Sequence, residues 1–110
     1  RSRLLELQAQ ARAVEVREPV ARYLLQIVAA TRDAPDVELG VSPRGSLALL
    51  RAAQARALLA GRNYVSPADI QALCIPVLAH RLQLTAHARY GGQGPEAFLD
   101  GVLKSLPVPT

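Results

Sequence analysis

Gly40-Val41-Ser42-Pro43-Arg44-Gly45-Ser46, followed by the apolar run from Leu47 to Gly61, decides the fold class. Ser42 has the side chain of an N-cap, and Pro43 has the preset φ and missing N–H suited to a first helical residue. The helix that follows is apolar nearly all round. Leu49, Leu50, Ala53, Ala57 and Ala60 cover one side, and Ala48, Ala52, Ala55 and Leu59 the other. Arg51 with Gln54, and Arg56, leave only narrow polar lines. Such a helix belongs at the centre of a bundle, where alanines let its neighbours approach closely. Arg44 is the anomaly in this stretch. A cation in the first turn opposes the positive end of the helix dipole at a cost of about 0.3–1 kcal/mol. Free backbone N–H groups at that end, together with the guanidinium, would suit an anion. A solvated arginine that tolerates the small penalty is the plainer alternative.

Outward from this segment the pattern stays helical. Arg3 to Arg12 carries Leu4, Leu7 and Ala11 at spacings of three and four, and reads as an amphipathic helix with no cap before it. A chain that opens inside a helix suggests a piece of a longer polypeptide. Val14-Glu15-Val16 alternates like a short strand, as does Asn63-Tyr64-Val65, and the two are expected to pair. Pro19 is expected at N1 of a second helix that buries Val20, Leu24, Ile27 and Thr31 and turns Arg22, Gln26 and Asp33 to water. Asp33 to Gly40 reads as a turn-rich loop. Gly61 ends the central helix. Ser66-Pro67-Ala68-Asp69 is a capping sequence for a fourth helix with Ile70, Leu73, Cys74, Val77 and Leu78 inward and Pro76 as a kink. Tyr90 to Gly94 is a loop, and Pro95 to Leu106 a last amphipathic helix through Phe98, Leu99, Val102 and Leu103. The predicted fold is all-α, a small helical bundle with one short pair of extended segments.

At 110 residues, half of them hydrophobic, the chain is one small domain with material for a core. A single cysteine, Cys74, excludes an internal disulfide framework and a Cys-rich zinc site. With no signal peptide and no apolar run of spanning length, a cytoplasmic protein without a membrane contact is expected. Thirteen basic residues give a net charge of +4, but they are scattered. A recognition helix would place base-reading side chains near its N-terminus. The residues after the Gly61–Ser66 turn that are expected to be exposed, Ala68, Asp69, Gln71, Ala72 and Ala79, include an acid and no arginine, so a DNA-binding module is disfavoured. His80 and His87 have no carboxylate spaced to complete a metal site. His80 and Arg81 instead suit the negative end of a helix. Cys74, on an apolar face with no nearby histidine, reads as a buried inert thiol. Gly91-Gly92-Gln93-Gly94-Pro95 lacks the lysine and hydroxyl of a phosphate loop and reads as a linker.

Ala30-Thr31-Arg32, Gly40-Val41-Ser42-Pro43-Arg44, Leu47 to Ala55, Gly61 to Ile70 and Leu78-Ala79-His80-Arg81-Leu82 together resemble the C-terminal lid domain of MoxR-type AAA+ ATPases. The resemblance spans nearly the whole chain, 1–110, and extends to the closing Leu106-Pro107-Val108-Pro109. It is dense between residues 30 and 82. It implies that Arg44 of the G-x-S-P-R motif is the sensor 2 residue, with Ser42 and Pro43 beside it at the nucleotide, reaching the γ-phosphate of ATP held by an α/β core domain N-terminal to Arg1. Gly45 departs from the family, which usually carries Ala or another small residue there. No Walker A loop, Walker B acidic pair or sensor 1 Asn is found, so this chain alone is expected neither to hydrolyse ATP nor to hold a cofactor tightly. The resemblance further implies a parent that binds ATP and Mg2+ and assembles as a ring, with a hexamer expected. It would act as a chaperone-like ATPase on partners bearing a von Willebrand factor A domain. A free-standing helical interaction domain, in which Arg44 is an ordinary surface residue, is the competing class.

Overall fold

The computed structural model describes the backbone of residues 2–109 and the side chains of residues 3–109. The elements run α1 (Ser2–Arg12), α2 (Glu18–Asp33), β1 (Val37–Leu39), α3 (Pro43–Leu59), α4 (Pro67–Leu78), a 3-10 turn (Ala79–Arg81), β2 (Gln83–Leu84), α5 (Ala86–Tyr90) and α6 (Pro95–Ser105). The all-α bundle is as the sequence predicts, and α3 lies at its centre, packed against α1, α2 and most extensively α4. Leu49, Ala53 and Ala57 are fully buried along its inner line. The outer side of α3 is less covered than its composition suggests, because Leu59 stays 87% exposed.

Most helix ends follow from local sequence. Ser42 Oγ accepts from the Gly45 N–H at 3.2 Å, fixing the start of α3. Gly61 takes φ +81°, and the N–H groups of Gly61 and Arg62 reach back to the carbonyls of Leu58 and Ala57, a Schellman closure. Ser66 and Asp69 form the expected capping box, with Pro67 as the first residue of α4. α2 buries Val20, Leu24, Ile27 and Thr31 as expected, with Tyr23 and Val28 added. It begins one residue earlier than predicted, at Glu18, so Pro19 is second in the helix. Cys74 is fully buried, and that burial pushes its thiol up to about 11.

Several expectations need correction. The Asp33–Gly40 segment is not wholly loop, since β1 pairs antiparallel with β2. Glu15 and Tyr64 do pair, but as one isolated parallel bridge. The Tyr90 loop is preceded by α5, which is capped by Thr85 Oγ1 accepting from the Ala88 N–H. α1 leans on α3, yet Leu4 and Leu7 remain 59% and 43% exposed. Gln54, expected on a polar line, is buried; it accepts from Arg51 and donates to the Val14 carbonyl at 3.0 Å. That donation ties α3 to the α1–α2 connection.

Candidate functional site

The site predicted from sequence is the N-terminal end of α3, and α2 holds it in place. A Cβ on Gly40 would lie 2.8 Å from the Thr31 carbonyl oxygen and 2.9 Å from Arg32 Cα, so only glycine lets the chain press onto the last turn of α2. Buried Thr31 donates through Oγ1 to the Val28 carbonyl at 2.7 Å and accepts from the Val41 N–H at 3.0 Å. Arg32 Nε donates to the Val41 carbonyl at 2.9 Å. Both backbone polar groups of Val41 are thereby satisfied by α2 one residue before the cap, which fixes the direction in which α3 sets out.

Ser42, Pro43 and Arg44 are all exposed, at the N-cap, N1 and N2 positions. Ser42 is committed to the cap, and Pro43 has no N–H to offer. Arg44 is different. Among the described residues its guanidinium enters no ion pair and no hydrogen bond, and its backbone N–H has no partner. An unpaired guanidinium and a free N–H at a helix N-terminus fit one oxyanion of a phosphate. Mg2+ finds no comparable fit, since no group of His, Cys, Asp or Glu among the described residues could hold a metal ion.

Gly45 is buried, and a Cβ there would come within 2.7 Å of Val41 Cγ1 and 3.4 Å of Arg81 Cδ. A side chain there would therefore have to displace the Val41 methyl, so packing favours glycine at this position. One turn onward, Leu47 is half exposed and borders an apolar groove of about 370 Å³ between α2 and the first half of α3, lined also by Val16, Ala21, Leu24, Leu25 and Leu50.

Two residues set aside by sequence reasoning prove structural. Asp69 was expected on the exposed face of α4, but it is fully buried and binds Arg56, Arg62 and Ser66. Its pairing closes the α3–α4 turn, and α4 still presents no arginine on its exposed positions. Arg81 donates through Nε to the Val77 carbonyl at 3.1 Å, which is the helix-end role expected of it. The capping-box spacing was the signal for Asp69, although it did not reveal burial.

The fold is shared with known proteins. Residues 29–100 match the AAA lid domain family. The chain belongs to that family. It is 44% identical over 103 residues to the uncharacterized protein YeaC of Bacillus subtilis, covering 94% of this chain and 32% of that protein. It is 36% identical over 115 residues to the chaperone MoxR1 of Mycobacterium tuberculosis, covering 96% of this chain and 30% of that one. A crystal structure of a candidate ATPase from Cytophaga hutchinsonii superposes with a TM-score of 0.85 at 25% identity, over 93% of this chain and 34% of the other. This lid domain is thus of the MoxR type, and it spans about a third of the length of these relatives.

Proposed function

We propose that this chain closes over ATP bound by a separate α/β core and senses the γ-phosphate through Arg44, the sensor 2 residue. The observation that carries the reading is the Arg44 guanidinium at N2 of α3, unpaired among the described residues and set against the dipole at a helix end whose direction is fixed by Thr31 and Arg32. Supporting it are the family match and the apolar groove one turn from Arg44, a face that a lid can lay against another body. The whole protein would be a chaperone-like AAA+ ATPase of the cytoplasm. It would bind Mg·ATP, assemble as a hexameric ring, and remodel partners with von Willebrand factor A domains. The core lies N-terminal to residue 1 in this reading, and the Mg2+ ligands come from that core and the phosphates.

Bound ATP supplies the phosphoryl group and its developing charge. Arg44 would contribute a cation to that charge, and the closed lid would exclude water around it. Arg44→Ala in the full-length ATPase should lower turnover by about ten- to a hundredfold, at about 1.4 kcal/mol per tenfold. Arg44→Lys should rescue only in part, because it keeps the charge and loses the planar fork. Unchanged turnover in Arg44→Ala would exclude the sensor role.

A further inference from the structure

Arg44 is held only through the backbone that leads to it. Its side chain bonds to nothing among the described residues, so its place is set by where the first turn of α3 lies. Packing against α2 contributes little there, because the apolar groove of about 370 Å³ opens between Leu24 and Leu25 on one helix and Ser46, Leu47 and Leu50 on the other. Val41 makes the link instead. Its N–H donates to Thr31 Oγ1 at 3.0 Å, and its carbonyl accepts from Arg32 Nε at 2.9 Å. Its side chain fills the space beside Gly45, with Cγ1 2.7 Å from the position a Cβ would take. This buried residue is thus tied to the last turn of α2 by its backbone and to the first turn of α3 by its side chain.

Thr31 is a fully buried polar side chain on an otherwise apolar face, and its hydroxyl is used twice, donating to the Val28 carbonyl and accepting from Val41. A valine of nearly the same shape would fill that space and leave the Val41 N–H buried without a partner. We propose that Thr31, with Arg32 beside it, is a positioning residue for Arg44, acting on ATP turnover through Val41 and the first turn of α3. The proposal rests on the reading of Arg44 given above. Misplacing a reacting group by about 1 Å can cost about a hundredfold in rate, so a small shift of Val41 is enough to be felt at residue 44.

ATP turnover of the full-length ATPase, measured well below its unfolding temperature, tests this with Thr31→Val, Thr31→Ser and Arg32→Met, each alone and combined with Arg44→Ala. Thr31→Val should lower kcat about tenfold, and Arg32→Met about threefold. Thr31→Ser keeps the hydroxyl and loses the methyl, and should retain most of the wild-type rate, the reverse of what a space-filling role requires. In the Arg44→Ala background none of the three should lower kcat further, because the group they position is gone. Losses that multiply with that of Arg44→Ala would show general damage to the lid, or a charge effect of Arg32 itself, and would overturn the proposal. Should Thr31→Val fail to fold, the Arg32→Met pair decides by the same rule, since Arg32 is exposed and its loss leaves the core intact. Wild-type kcat in Thr31→Val and Arg32→Met beside an impaired Arg44→Ala would overturn the proposal and leave the sensor reading standing. Wild-type kcat in Arg44→Ala would remove the sensor reading, and this proposal with it.

Discussion

Arg62 grips Asp69 as a parallel fork, with Nη2 on Oδ1 and Nη1 on Oδ2, both at 2.7 Å. Arg56 adds a third bond to Oδ1 at 2.6 Å, and the Ser66 N–H a fourth to Oδ2 at 2.8 Å. One buried carboxylate therefore joins the last turns of α3, the Schellman turn and the cap of α4. Its neighbours hold its carboxyl well below the usual carboxylate range, chiefly through the Arg62 hydrogen bonds, with Ser66 and Arg56 adding to them.

Asp69→Asn should destabilise the domain by about 2–4 kcal/mol in urea unfolding, because it breaks a buried pair whose arginines are partly solvated. A depressed folded pKa gives stability that is complete above the ordinary carboxylate value, near 4, and is lost as pH falls below it towards the folded value. The native protein should therefore lose stability below about pH 4, and Asp69→Asn should flatten that acid limb. An unchanged acid limb in the variant would assign the loss to other carboxylates.

Gly45→Ala sets two effects against each other. Alanine gains up to about 1 kcal/mol of helix propensity, but its Cβ would meet buried Val41 Cγ1 at 2.7 Å, and overpacking costs about 1–3 kcal/mol. The net expectation is a loss of about 1 kcal/mol. A gain in thermal stability would mean that Val41 moves aside freely.

Cys74 should resist alkylation in the native protein. It is fully buried on α4, and its thiol is raised to about 11, so almost no thiolate exists at pH 8. Iodoacetamide labelling should follow unfolding across a urea titration. Fast labelling without denaturant would show that α4 opens locally.

Amide exchange should be slowest in α3, around Leu49, Ala53 and Ala57, and fastest in α1, whose side chains from Arg3 to Gln10 are all exposed. Equal protection of the two helices would contradict the central position of α3.

The sequence by itself determined the parts whose physics is local. Ser42-Pro43, Gly61 and Ser66-Pro67-x-Asp69 set helix ends through bonds that span three to five residues, and the periodicity of Val20, Leu24, Ile27 and Thr31 set the buried face of α2. The anomaly of Arg44 was legible for the same reason, since a first-turn charge and a dipole need no tertiary partner to conflict. Only the tertiary structure decided the β1–β2 pairing, where three residues meet two across more than forty positions, too short for any alternation to register. It also decided the burial of Asp69 and Gln54. A polar side chain enters a core only when its partners arrive there too, and those partners, Arg62 with Arg56 and the Val14 carbonyl, come from other segments of the chain. The meeting of Arg81 with Gly45 belongs to the same class, because it depends on where α4 ends in space against the start of α3.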